Sequence, residues 1–448
     1  MKHNPLIAIA LMATTLCAAA QDSIASGTWT LQRCIDRAKQ ENVTLKRNRL
    51  SVRQAQLDVA TARDNRLPSV AFSTNQQFSN RPFQKSIAMV SGSEVITTSN
   101  KNSYSGSYGI SGSMTLYNGG QLGNNIKLQE INSQIAELNA DATALTIEED
   151  VTRAYVQILY AQEAVKQDSV QIDLSQAQWD RAKALFKAGL LNKADVAQLE
   201  SQTANDRYQL VADLSSLDGY KLTLKQLLEL DGDQAMNIAD PNLTDDVLAP
   251  LPSKADVFAM ALNLRPEIRA QQLAMDRSDI DVKIAKAGMK PTVNLSAGIN
   301  TNNVTGNGNM FTQLKNQWSN SVGVSVNVPI WDHHKTKNAV AKARLEKENS
   351  RLSLIDTQKT LWKTIENYWQ TAYSNQQRYV AAQEKVKAAQ TSYELTSEQF
   401  RLGLKNIIEL MTDKTTYSAS VQQMLQAKYM AVLNAALLRY YAGEGIKL

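Results

Sequence analysis

Two stretches of this chain, between Gly123 and Gly189 and between Pro329 and Gly403, run for 65 and 73 residues without glycine or proline. These are the two residues that most readily interrupt a helix, so each stretch can continue as a single one. At 1.5 Å per residue either would form a rod of roughly 100 Å, which a globular domain has little use for. The apolar positions give the period. Val151, Ile158, Val165, Ile172, Trp179 and Phe186 recur every seven residues, as do Ile365, Ala372, Tyr379, Val386, Tyr393 and Phe400. A sustained seven-residue period keeps one seam against a neighbour and winds helices into a left-handed supercoil. The seam mixes small and aromatic residues where a zipper carries leucine, which favours helices packed side by side in a curved wall. Return helices are predicted by the same spacing in Val196, Thr203, Leu210, Leu217 and Leu224, and in Leu410, Tyr417, Met424, Ala431 and Leu438.

The two stretches are copies of one another. A gap-free shift of 214 positions places Tyr117 on Trp331, Asn118 on Asp332, Phe186 on Phe400, Gly189 on Gly403, Leu190 on Leu404, Asn192 on Asn406 and Asp195 on Glu409. Upstream, Pro68 matches Pro291 and Asn42 matches Asn263 at slightly larger shifts, giving the first copy the longer loop between strands. Each copy reads helix, strand, loop, strand, long helix, tight turn, helix. The expected organisation is a leader over 1–20, a first repeat over 21–230, an irregular connector over 231–252 containing Pro241, Pro250 and Pro252, and a second repeat over 253–448. Strands are expected near 68–79, 104–117, 291–301 and 319–331, and long helices near 121–188 and 333–402. Shorter helices are expected near 29–66 and 253–288.

The leader follows from Lys2 and His3, the apolar run Leu6 to Leu16 and Ala18-Ala19-Ala20, the order of a secretory signal peptide cleaved after Ala20. Leu6 to Ala20 is shorter than the about 20 residues of a spanning helix. Leu16 stands where a lipid-anchor signal before Cys17 wants a small residue. Cleavage leaves Cys34 as the one cysteine, without a disulfide partner, to fill a helix face.

In the expected strands, Tyr104, Tyr108, Ile110, Met114 and Leu116 alternate with serine and threonine, and Val322, Val324, Val326, Val328 and Ile330 alternate with serine, glycine and asparagine. Two further strands begin at Pro68 and Pro291. Period-two alternation fits either a soluble sandwich or an outer-membrane sheet with lipid on one face and a lumen on the other. The aromatic pairs Tyr104/Tyr117 and Trp318/Trp331, both 13 steps apart, favour the membrane. At about 3.3 Å per residue and a tilt near 40°, 13 steps rise roughly 33 Å, bringing rings near both interfaces of an apolar band about 25 Å tall. Four strands cannot close a barrel, and lipid does not admit an open edge, so the strands must close with other copies of the chain.

Charge excludes little but helps. Lys and Arg number 48 against 43 Asp and Glu, with no basic tract, so a nucleic-acid partner has no support. Gly106, Gly109 and Gly112 lie in an expected strand and form no phosphate loop. His333 and His334 lack the further ligands of a zinc site. No catalytic constellation, cofactor motif or metal motif is present. The reading from another class is a soluble periplasmic coiled-coil scaffold or adaptor.

The tips Phe186-Lys187-Ala188-Gly189-Leu190 and Phe400-Arg401-Leu402-Gly403-Leu404, with the turns Leu116-Tyr117-Asn118-Gly119-Gly120 and Pro329-Ile330-Trp331-Asp332, resemble those of the TolC-like outer membrane efflux proteins. The resemblance covers essentially the whole chain after the leader. It implies a mainly α protein with a transmembrane β segment: a homotrimer whose 12-stranded barrel continues as a 12-helix periplasmic tunnel. It implies no enzymatic activity, and as partners outer-membrane lipid, a periplasmic adaptor (membrane fusion) protein and an inner-membrane transporter of RND or ABC type. In that family, charged residues on second-copy helices hold the periplasmic end shut, and the match is Glu409. The family's second ring acid falls on Thr412, a departure, with Asp413 beside it. Lys405 matches a basic residue that latches onto a first-copy acid, here Asp195. Gly189, Leu190, Arg401, Gly403 and Leu404 match the adaptor-docking tips.

Overall fold

A computed structural model describes residues 28–83, 87–91, 94–98, 101–241, 243, 247–305 and 308–446. The expected leader (1–20), with Cys17, lies outside the described residues. The first copy comprises α1 (Leu31–Glu41), α2 (Val43–Asp64), β1 (Ser69–Asn80), β2 (Ile87–Ser91), β3 (Glu94–Thr98), β4 (Asn102–Asn118), α3 (Gln121–Lys187) and α4 (Lys193–Leu227). The second comprises α5 (Lys254–Leu264), α6 (Pro266–Ala287), β5 (Thr292–Val304), α7 (Met310–Asn316), β6 (Ser319–Asn327), α8 (Lys335–Arg401) and α9 (Ile407–Tyr441). The long helices α3 and α8 each have 67 residues, and the return helices α4 and α9 each have 35. Their boundaries repeat at the 214-residue shift read from the sequence.

Upstream of the strands the shift is 223, and each expected short helix is two helices. Asn42 leaves helical geometry (φ −55°, ψ 125°), and its Oδ1 accepts from Thr44 N at 2.9 Å and Leu45 N at 3.3 Å, capping α2. In the second copy Arg265 (φ −75°, ψ 123°) takes that place because Pro266 forbids it a helical conformation. Arg265 is therefore the structural equivalent of Asn42, in place of Asn263. The extra length of the first inter-strand loop carries the β2–β3 hairpin, where the second copy has α7. The connector is not wholly irregular: Ile238 bridges to Trp29, with Trp29 N donating to Asn237 O at 2.7 Å and Ala239 N to Trp29 O at 2.9 Å.

Two compact units cut across the repeats: the described residues of Met1–Lys46, Thr143–Leu264 and Trp362–Leu448 form one, those of Arg47–Ala142 and Arg265–Leu361 the other. The core of the first includes Tyr155, Ile158 and Leu159 of α3, Leu224, Ile365, Leu437 and Leu438, all under or near 2% exposed. The Tyr155 hydroxyl donates within this core, to Ala239 O at 2.7 Å and Trp29 O at 3.1 Å. Cys34 is fully buried here, and burial pushes its thiol up to about 12. The seven-residue seams of both copies are buried or half-buried, Phe186 excepted at 43% exposed.

The second unit holds an antiparallel sheet ordered β1-β4-β5-β6. Its register sorts the residues by chemistry. Successive rungs place Phe72, Ile110 and Ile299 in line, then Val70, Gly112, Ala297 and Val322, then Met114, Leu295 and Val324. The opposite face carries Ser73, Ser107, Ser111, Asn294, Ser296, Ser321 and Ser325. None of β1, β4, β5 and β6 contains a charged residue. The apolar face has no covering layer: Val70 is 72% exposed, Phe72 67% and Val322 79%. Of the described helices, none is long and apolar enough to cross a membrane.

Two details correct the expected strands. A bulge between Thr115 and Tyr117 sets Tyr117 opposite Val293, on the face of Tyr104. Thirteen steps in a regular strand would have put the two rings on opposite faces. The ladder of β6 stops at Asn327, before Pro329, which has no N–H to donate. Trp331 therefore stands outside the sheet, packed edge-on against His334 with ring centroids 4.8 Å apart. His333 and His334 (φ 54° and 64°) form the left-handed turn into α8. Asp332 caps that helix, its Oδ2 accepting from Thr336 N at 2.8 Å and from the Thr336 hydroxyl, which holds its carboxyl below the usual carboxylate range.

Candidate functional site

The two tips are built alike. Gly189 N donates to Phe186 O at 3.0 Å and Leu190 N to Leu185 O at 2.9 Å; Gly403 N donates to Phe400 O at 3.0 Å and Leu404 N to Gln399 O at 2.9 Å. This paired pattern satisfies the last helical carbonyls and demands a left-handed residue. Gly189 (φ 75°) and Gly403 (φ 76°) supply it, and no neighbour lies within 4 Å of where a side chain would begin, so the requirement is conformational. Asn192 and Asn406 then start the return helices, accepting from Asp195 N at 2.8 Å and Glu409 N at 2.9 Å. Leu190 and Leu404 project outward, each 73% exposed. Behind them Ala182, Leu199, Tyr393, Ile407 and Leu410 form a buried cluster that joins the tips of both copies.

The tips differ in charge. Glu409 reaches back to Asn406 N at 3.2 Å and completes a capping box, which the shorter Asp195 does not. Glu409 also pairs with Lys405 at 2.5 Å. The lysine first, and then the Asn406 N–H, holds the Glu409 carboxyl below its usual range. Within the chain Lys405 engages Glu409. Asp413 turns into the α8–α9 hairpin, accepting from Thr396 Oγ1 at 2.6 Å and Ser392 Oγ at 3.0 Å. Thr412 is exposed. Arg401, at the end of α8, pairs with Glu398 one turn earlier.

A polar layer that sequence reading missed lies deeper in the same unit. Lys414, 3% exposed, pairs with Asp206 at 2.5 Å. Asp206 also accepts from Gln202 at 2.7 Å and from the Ser175 hydroxyl. One layer further, buried Asp168 faces Asp213. Burial, then the hydrogen bond and charge of Asp213, then Asp206, push the Asp168 carboxyl up to about 7. The 214-residue shift pairs Asp168, Ser175, Asp206 and Asp213 with Ala382, Ala389, Ser420 and Ala427, so the acids of this layer occur in the first copy alone, while Lys414 reaches them from the second. Comparing the copies at that shift is the signal that would have found it.

Of the interface aromatics, Tyr104 and Tyr117 share the apolar face, and Trp318 immediately precedes β6, 58% exposed. Tyr104 pairs across the ladder with Phe78, and its hydroxyl donates to Gln76 at 2.5 Å.

The family profile described as outer membrane efflux protein matches residues 34–229 and 257–444. The outer membrane protein TolC of Salmonella enteritidis is 20% identical over 326 residues, a match that spans 71% of this chain but only 65% of TolC. Among solved structures, the CusC channel has a TM-score of 0.78 at 16% identity, covering 93% of this chain and 92% of that one. VceC of Vibrio cholerae has a TM-score of 0.74 at 15% identity, covering 93% and 97%. These structural likenesses establish the fold. With most of its length matched in two blocks that coincide with its two copies, this chain belongs to the outer membrane efflux protein family.

Proposed function

We propose that the chain is the outer-membrane channel of a tripartite export system, passing substrates from an inner-membrane pump and a periplasmic adaptor to the cell exterior. The carrying observation is the uncovered sheet, with apolar side chains on one face and hydroxyls and amides on the other, joined to paired helices that end in matching capped tips. In water its apolar face would remain exposed, which disfavours a soluble scaffold. The free edges of β1 and β6 require other chains to close the sheet in lipid; three copies give twelve strands. The family is one of channels, and no catalytic step is assigned to the chain. An RND or ABC transporter supplies the energy.

Glu409 and Lys405 act at the periplasmic gate, which opens as the tips untwist. Asp195 adds a negative charge in the first turn of α4, where its backbone N–H is held by the Asn192 cap, and Asp413 braces the α8–α9 hairpin. Exposed pairs are worth about 0 to 1 kcal/mol each, so three symmetric copies are what make them matter. Glu409→Gln keeps the capping box while removing the charge. Combined with Lys405→Met, it should raise single-channel conductance in planar bilayers at least about twofold, because three weak pairs are lost together. Conductance equal to wild type would remove the gate assignment.

The adaptor docks at Gly189, Leu190, Arg401, Gly403 and Leu404. Exposed leucines at a glycine turn offer small apolar knobs without further rearrangement. Photocrosslinkers at positions 190 and 404 should capture the adaptor, and crosslinks formed only from the neighbourhood of Pro241 would move the docking site there.

A further inference from the structure

The sheet has two ends of different chemistry. β1 and β5 run away from the helices α2 and α6, and β4 and β6 return toward α3 and α8. At the end far from those helices, Arg81 N donates to Lys101 O at 2.7 Å, bringing two exposed basic residues to adjacent strand ends. Between β5 and β6, α7 carries a third, exposed Lys315. The segments 81–101 and 305–318 contain Arg81, Lys85, Lys101 and Lys315 against one acid, Glu94. The described charged side chains here are all basic.

α7 is fastened through polar groups. Gln313 Oε1 accepts from Val304 N at 2.8 Å, Gln313 Nε2 donates to Val304 O at 3.0 Å, and Thr301 Oγ1 donates to Leu314 O at 2.6 Å. Thr305 N donates to Tyr104 O at 2.8 Å, fixing this arm at the level of the Phe78–Tyr104 rung. The helix nevertheless leaves Phe311 79% exposed, and Trp318, just past its end, is 58% exposed. A short segment held by hydrogen bonds, carrying exposed rings and a lysine at the end of the sheet where Arg81 and Lys101 also lie, has the composition of a membrane interface. The rings match the boundary between acyl chains and headgroups, and the cations match anionic phosphates above it.

We propose that this rim binds lipid A: Arg81, Lys101 and Lys315 engage its glucosamine phosphates while Phe311 and Trp318 sit at the top of its acyl layer. The proposal rests on the reading of the sheet as membrane-inserted. Conductance measured in the same preparations reports insertion separately from lipid capture.

The test measures binding of bisphosphorylated lipid A to the full-length channel in detergent by native mass spectrometry. The variant carries Arg81→Gln, Lys101→Gln and Lys315→Gln; the control carries Lys337→Gln, Lys342→Gln and Arg344→Gln on α8. Each basic group near an anionic lipid surface contributes about fivefold, so the rim variant should bind roughly a hundredfold more weakly. The control should bind as wild type does, and both variants should conduct normally. Equal binding by the rim variant, an equal loss in the control, or displacement of lipid A by millimolar inorganic phosphate would overturn the proposal. Should the rim variant form no channels, Lys315→Gln alone decides: about a fivefold loss supports it, and wild-type binding overturns it.

Discussion

Lys414→Met is expected to destabilise the protein by about 3 to 5 kcal/mol, the cost of leaving one partner of a buried ion pair without the other. Lys414 is 3% exposed, and the side chain of Asp206 only 15%. The lysine is the basic group in a layer that also holds Asp168 and Asp213. Without it the Asp206 carboxylate keeps its bonds from Ser175 and Gln202 but gains repulsion and loses its counter-charge. Methionine fills the same volume without strain, so packing changes little. Adding Asp206→Asn should recover most of the loss, because the remaining amide is neutral and can still hydrogen-bond. Unfolding midpoints of wild type, both single variants and the double variant give the coupling directly. A single-variant loss below about 0.5 kcal/mol, the scale of an ordinary surface substitution, would mean the pair contributes nothing.

The second large effect is one of pH. Asp168 keeps its proton in the folded protein up to about pH 7, whereas an unperturbed aspartate gives its proton up near 3.8. Between those values the folded state binds more protons than the unfolded state, so stability falls as pH rises and levels off above about 7. The groups around it set that direction: burial first, Asp213 and Asp206 on α4 next, with Gln422 of α9 opposing. Asp168→Asn retains hydrogen bonding to Asp213 while removing the titrating charge. It should therefore be more stable than wild type at pH 8, by roughly 1 to 3 kcal/mol, and indistinguishable near pH 4. Denaturant unfolding at the two pH values checks this, and identical pH dependence in wild type and variant would sink it.

Local signals carried much of this molecule. The glycine-free stretches, their seven-residue period and the 214-residue self-match pointed to two long helices with return helices; the structure makes the two copies equal in both. The glycine turns at the tips were legible because a left-handed residue is a chemical requirement of the reversal itself, whereas Asn192 and Asn406, seen in the sequence as an aligned pair, showed their capping role only in the fold. The strand alternation was legible for the same reason, since successive side chains must take opposite faces. What escaped is what depends on another segment. The bulge that returns Tyr117 to the face of Tyr104 is a property of the β4–β5 pair, and neither strand announces it alone. The end of β6 at Asn327 was readable in Pro329, but the aromatic spacing overrode it.

The sequence by itself determined the periods, the turns and the duplication, because these follow from the backbone preferences of residues close together in the chain. Only the tertiary structure decided which charges meet. Asp413 is drawn to hydroxyls on α8, and Lys414 crosses from the second copy to Asp206 in the first. Those partners are separated by 17 and 208 positions. Electrostatic pairing is fixed by distance and desolvation in space, which spacing along the chain does not encode beyond a helical turn.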